Sequence, residues 1–261
     1  MTILDQIITA KRQEVALAKA RKPFDKIWLE AQAVDLPALS FSEALLTSDT
    51  GIIAEFKRRS PSKGFIHKGA DVAAVVAGYS AGGAAAISVL TDREYFGGSL
   101  GDLRTARQVA GIPLLRKDFI IDPYQICEAR IAGADVVLLI AAALTPDLTS
   151  ELARFARSLG LEVLLEIHQG AELGHINEYI DVVGVNNRNL ATFDTDIAVS
   201  EQLATLIPDG LIKISESGIS APETVGKLRK QGFRGFLMGE NFMKTTDPAL
   251  ALAGFLKELS E

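Results

Sequence analysis

"ARIAGADVVLLIA", residues 129–141, carries the pattern that decides the fold. A helical segment breaks at Gly133, and an apolar run as long as a strand follows it. The same beat recurs in "YSAGGAAAISVLT" (79–91), "RSLGLEVLLEI" (157–167) and "LRKQGFRGFLMGE" (228–240). Strands that are apolar throughout, without alternation, fit a parallel sheet covered on both faces. Parallel strands need long crossovers, and helices usually supply them.

Read outward from that stretch, the sequence predicts eight strands, near 52–57, 84–90, 112–117, 135–141, 161–166, 181–186, 210–215 and 235–238. Amphipathic helices fall near 70–81, 99–110, 123–132, 146–159, 170–177, 196–206, 220–231 and 247–259. Eight βα units in about 250 residues describe an α/β chain folded as a (β/α)8 TIM barrel. The competing architecture is an open doubly wound sheet, which carries a glycine fingerprint in its first βα turn. The first turn here, "KRRSPSKG" (57–64), is neither that fingerprint nor a Walker A loop.

Residues 1–50 precede the first strand. Ile3, Leu4, Ile7, Ile8 and Val15 make a helical stripe, Trp28 and Leu29 follow, and "FSEALL" (41–46) has Ser42 as its expected N-cap. This is read as an N-terminal helical extension packed on the barrel over one end, its charges forming a solvated face. No Gly/Ser-rich linker interrupts the chain, so residues 1–261 are expected to form a single domain.

Composition excludes several classes. The 261 residues are 48% hydrophobic, with a formal net charge of −6. That charge argues against nucleic-acid binding through phosphate contacts, though local cations can still hold a small anion. No apolar run reaches the roughly 20 residues of a membrane span. The N-terminus, "MTILDQIITAKRQEVALAKARK" (1–22), lacks an unbroken apolar core and a small-residue cleavage site, so no secretory signal is read there. Cys127 is the only cysteine and reads as a small buried hydrophobe, and a reducing, cytoplasmic setting is expected. His67, His168 and His175 show no ligand spacing, so no metal site is expected.

A barrel places its active site at the C-terminal ends of the strands. There the sequence puts Glu55 and Lys57 on strand 1, Lys117 on strand 3, Glu166 on strand 5, Asn186 on strand 6, and Glu216 with Ser217 on strand 7. Strand residues two apart share a face. If Leu115, Leu164 and Ile214 fill the barrel, then Lys117, Glu166 and Glu216 sit one layer above them at its mouth. Burying so many charges is costly unless they are paired, so six converging groups read as functional. "ESGIS" (216–220) and "MGEN" (238–241) can present backbone N–H groups, the usual phosphate site of such barrels, with Gly218 and Gly239 at the turns. Ser60 and Lys57 can add a hydroxyl and a cation. Lys63 and Arg58 read as solvated loop charges, and Phe96 and Phe119 fit equally as core aromatics or as ligand contacts.

These residues, in this order, resemble the indole-3-glycerol phosphate synthase family. The likeness rests on "IIAEFKRRSPSKG", "SVLTDREYFGGS", "PLLRKDFIIDPYQI", "LLEIH", "GVNNRNL", "ISESGI" and "FLMGE", together with the helical extension. It implies closure of an indole ring in tryptophan biosynthesis, from 1-(2-carboxyphenylamino)-1-deoxyribulose 5-phosphate, with loss of carbon dioxide and water. No cofactor or metal is implied; neither nucleic acid nor membrane is expected as a partner, and a monomer is expected. By the same resemblance Lys117 is the general acid and Glu166 a base of the later dehydration. Glu55 and Lys57 form the strand-1 pair, with the lysine binding substrate. Asn186 and Glu216 orient substrate and lysines. Ser60, Ser217, Gly218 and Gly239 form the phosphate environment, followed by Glu240 with its side chain turned away. Arg188 meets the anionic groups, and Phe96 and Phe119 flank the anthranilate ring. Three other readings remain open from the residues alone: a Schiff-base aldolase using Lys117, a phosphosugar isomerase, and a non-catalytic binding module.

Overall fold

The structure is a computed structural model that describes residues 2–37, 39–190 and 192–260. Eight parallel strands close into a barrel in chain order: β1 (Ile52–Phe56), β2 (Ala86–Leu90), β3 (Leu114–Lys117), β4 (Val136–Ile140), β5 (Glu162–Ile167), β6 (Val182–Asn186), β7 (Ile212–Glu216) and β8 (Phe233–Met238). β1 pairs with both β2 and β8, which closes the ring. Ile53, Leu115, Leu138, Leu164, Val182, Ile214 and Leu237 fill its interior, while alternate residues such as Ile52, Ala54, Val137 and Val163 pack outward with the helices.

The local chemistry of the opening stretch explains its shape. The helix Pro123–Ala132 starts at Asp122, whose side chain accepts from the Tyr124 N–H, with proline in the first turn. It stops at Gly133, whose φ of +88° is left-handed, a conformation glycine adopts without a Cβ clash. Val136–Ile140 then enters the barrel wall, buried along its whole length.

The extension forms three helices, α1 (Ile3–Arg21), α2 (Phe24–Gln32) and α3 (Phe41–Thr47), and it reaches both ends of the barrel rather than one. α1 lies over the mouth, where Ile3, Leu4 and Ile7 line the same cavity as the strand ends. α3 plugs the opposite end: Phe41 and Leu45 join the interior cluster. Emptying the fully buried Phe41 position to alanine would cost about 3–5 kcal/mol.

Several expectations need correction. The N-cap of α3 is Ser40, whose hydroxyl accepts from the Glu43 N–H, whereas Ser42 bonds through its N–H and hydroxyl to Glu162 at the start of β5. The segment expected as a helix over 170–177 is a 3-10 turn, Gly170–His175. The first loop folds into a small antiparallel hairpin, Arg59–Ser60 against Gly64–Phe65. The charges of α1 are not all solvated, because the Lys11 side chain is only 2% exposed and lies among carboxylates. Among the described residues no helix is long and apolar enough to cross a membrane.

Candidate active site

One cavity of about 370 Å³ opens at the C-terminal ends of the strands, and Glu55, Lys57, Lys117, Glu166, Asn186 and Glu216 all line it. Strand periodicity places them there, one layer above Leu115, Leu164 and Ile214. Lys57 Nζ sits 2.5 Å from Glu55 Oε1. Lys117 Nζ lies 3.0 Å from Glu166 Oε2 and is also in direct contact with Glu216 Oε2. Two glycines make room for these carboxylates. A Cβ at Gly184 would fall 2.4 Å from Glu216 Oε1, and one at Gly239 would fall 2.4 Å from Glu55 Oε1.

The electrostatics follow from burial and pairing. Burial by itself favours a neutral Lys117, but the Glu166 and Glu216 carboxylates outweigh it and hold the side chain as ammonium. The two glutamates share that one cation, so their proton affinities diverge. Burial raises Glu216 to about 7 against the pull of Lys117. For Glu166 burial also opposes ionisation, yet Lys117, His168 and Asn186 together bring it down. A proton donor and a charged acceptor thus stand within one hydrogen bond of each other.

The turns that follow β6, β7 and β8 also open onto the cavity. Ser217 and Gly218 adopt left-handed backbone, with φ of +66° and +75°, as the chain turns out of β7. Ser217, Gly218, Gly239, Glu240 and Arg188 all line the cavity. The Arg188 N–H donates to Asn186 Oδ1 at 3.0 Å, tying that loop to the strand end. Glu240 also lines the cavity, and its side chain reaches the exposed Lys63 at 2.5 Å across the first loop. Phe96 and Phe119 form an aromatic wall, their ring centroids 6.0 Å apart.

Two expected residues behave differently. Ser60 is buried and does not line the cavity, where its loop contributes Pro61 and Lys63 instead. The Ser60 hydroxyl has no hydrogen-bond partner among the described residues. Arg58 is not a solvated charge: two of its nitrogens donate to Asp102 at 2.9 Å each, and its guanidinium lies over the Phe56 ring.

Other lining residues went unread in the sequence. Ile3, Leu4 and Ile7 belong to the stripe of α1, but nothing in that stripe tells a barrel mouth from a barrel flank. Leu190, Phe193 and Thr195 come from the loop after β6, where Phe193 has a φ of +64°, unusual for a non-glycine residue. His168, two residues beyond Glu166, lies beside it.

The paired lysine–glutamate cluster lies at the C-terminal mouth of a closed (β/α)8 barrel, the end at which enzymes of the barrel class carry their active sites. The chain belongs to the indole-3-glycerol phosphate synthase family: the family model described as "Indole-3-glycerol phosphate synthase" matches residues 4–255. The indole-3-glycerol phosphate synthase of Bacteroides thetaiotaomicron is 54% identical over 258 residues, covering 98% of each chain. That of Bordetella pertussis is 43% identical over 255 residues, covering 96% of this chain and 97% of its own. Among solved structures, a chain of the tryptophan synthase complex from Pyrococcus furiosus superimposes with a TM-score of 0.60 at 15% identity, covering 82% of this chain and 98% of that one. At that identity the likeness shows the barrel fold alone.

Proposed function

We propose that this mouth converts 1-(2-carboxyphenylamino)-1-deoxyribulose 5-phosphate into indole-3-glycerol phosphate, releasing carbon dioxide and water, as a decarboxylating ring-closing lyase of tryptophan biosynthesis. One observation carries the reading: Lys117, held as ammonium, stands between Glu166 and Glu216 inside the cavity. The ring carbon bearing the carboxylate attacks the substrate's ketone carbon, whose oxygen gains negative charge. Lys117 stabilises and protonates that oxygen. Carbon dioxide then leaves, its bonding electrons restoring the aromatic ring. Dehydration follows, in which Glu166 takes a proton and the hydroxyl departs as water after receiving one. Lys57, paired with Glu55, supplies a second ammonium for binding or for that last protonation.

Asn186 and Glu216 orient Lys117 and the substrate. Ser217, Gly218 and Gly239 receive the phosphate, Arg188 meets the ligand's anionic groups, and Phe96 and Phe119 flank the anthranilate ring. Helical extension and barrel work as one domain, because the mouth draws residues from both. The lone, buried Cys127 supports a cytoplasmic setting. A Schiff-base aldolase is disfavoured, because its lysine must be a free amine and both neighbouring glutamates favour ammonium. The deciding experiment supplies the carboxyphenylamino-deoxyribulose phosphate and follows indole fluorescence together with carbon dioxide release. Product at catalytic rates is expected, and substrate that persists unchanged would overturn the assignment.

A further inference from the structure

Glu166 has a second neighbour that ring closure does not use. While its Oε2 faces Lys117, its Oε1 faces Nε2 of His168 at 3.4 Å. The other ring nitrogen, Nδ1, faces Glu172 Oε2 at 3.6 Å. Glu172 is itself anchored: its Oε2 accepts from the His168 backbone N–H at 2.6 Å, and its Oε1 lies 3.5 Å from the Gln169 side-chain amide. The side chains of His168 and Glu172 are 12% and 10% exposed, so the file runs through largely dry protein. It links the 3-10 turn Gly170–His175 to the end of β5.

We propose that His168, oriented by Glu172, is a positioning residue that holds the Glu166 carboxylate in place and sets how readily it accepts a proton. The proposal rests on the reading of Glu166 as the base of the dehydration. Lys117 from β3, Asn186 from β6 and Glu216 from β7 also face Glu166. The imidazole is faced by Glu166 and Glu172, with Glu216 farther off. Burial opposes a charge on His168, but the nearby Glu172 and Glu166 carboxylates outweigh it and raise its proton affinity. An imidazolium stabilises ionised Glu166 and makes it a weaker base, and losing that proton makes it a stronger one. The pH profile of kcat should therefore carry a rising limb that belongs to His168.

Two measurements test this. The first follows the chain's three histidines by NMR titration, with His168 assigned by its loss in His168→Gln. Its midpoint should fall in Glu172→Gln and in Glu166→Gln. A midpoint that neither substitution moves overturns the contact, whether or not the chain turns over substrate. The second records kcat and KM against pH. His168→Gln should lose about tenfold in kcat, keep KM within about twofold, and lose the rising limb. Glu172→Gln, which keeps the imidazole, should shift that limb to lower pH. A profile unmoved in both variants, with or without a fall in kcat, overturns the positioning role. Absence of turnover in the wild-type chain strikes the ring-closing reading instead, and leaves the NMR result to judge the contact.

Discussion

Lys11 of the first helix meets Asp118 at 3.0 Å in a buried layer, one residue beyond Lys117. The same ammonium lies 3.0 Å from Asp92, whose Oδ1 accepts from the backbone N–H of Tyr95 and Phe96. Arg116 and Thr91 complete the pairing of Asp118. The extension is thus fastened to the end of β3, next to Lys117, and to the loop that carries Phe96. Lys11→Met should cost about 3–5 kcal/mol in urea unfolding, because buried Asp92 loses its cation and Asp118 keeps only Arg116. It should also raise KM by loosening α1 over the mouth. A loss below about 1 kcal/mol would show that the cluster does not hold the helix.

Gly184 on β6 has no polar group of its own, yet it shapes the site. Its missing side chain leaves the space that Glu216 Oε1 occupies. Gly184→Ala should push that carboxylate away from Lys117 and lower kcat about tenfold or more, since displacements near 1 Å are expensive in catalysis. Overpacking should cost only about 1–3 kcal/mol of stability. Steady-state kinetics beside thermal unfolding separate the two effects, and an unchanged kcat would mean that Glu216 relaxes without consequence.

The fold could be read from the sequence because its signals are local. A glycine that ends a helix and an apolar run that follows it need no knowledge of distant residues. The mouth was legible for the same reason: Leu115 with Lys117, Leu164 with Glu166 and Ile214 with Glu216 are set by a period of two. What escaped was set by partners far along the chain. Lys11 looks like one more polar helix position until Asp92 and Asp118 fold against it. Ser42 looks like a cap until Glu162 folds against the segment and binds both serine hydroxyls, with Ser40 as the residue that caps the helix. Arg58 reads as a solvated loop charge until Asp102 is found beside it. The 170–177 segment has apolar residues at helical spacing, but Glu172 turns back to the His168 N–H, and Gly170 and Gly174 weaken the helix.

Glu216 makes a prediction about pH and stability. Its proton affinity rises on folding, from the ordinary value of 4.5 to about 7, because burial outweighs its pairing with Lys117. Across that window the folded chain keeps a proton that the unfolded chain has released. Its contribution to stability is therefore full at low pH and declines as pH rises through the window. Glu216→Gln removes the titration. Urea unfolding at pH 5 and pH 8 should show the variant gaining on wild type at the higher pH, and a constant difference would contradict the raised affinity.

Lys117→Met removes the ammonium from between two carboxylates. Turnover should fall by at least about 100-fold, the lower range for losing a positioned acid. The fold should persist by circular dichroism, because the barrel interior beneath position 117 is apolar and untouched. Stability should suffer more at pH 8 than at pH 5, where one of the two glutamates can take up a proton. Borohydride added with substrate should leave the mass of the wild-type chain unchanged, and a trapped adduct would restore the aldolase reading. Near-normal turnover in the folded variant would remove Lys117 from its role as acid.

Ser60 offers a cleaner separation of binding from stability. Its hydroxyl is buried and has no partner among the described residues, so deleting it takes no internal hydrogen bond away. Ser60→Ala should leave unfolding free energy within about 0.5 kcal/mol of wild type. A hydrogen bond to a phosphate oxygen is charge-assisted, worth roughly 1.5–3 kcal/mol. If the hydroxyl turns toward the substrate's phosphate when the mouth fills, the variant should raise KM about tenfold or more and change kcat little. Titration with inorganic phosphate, read by protection against thermal unfolding, should weaken in parallel. An unchanged KM with unchanged stability would remove the phosphate contact, and a large loss of stability would show that the hydroxyl serves the folded chain instead.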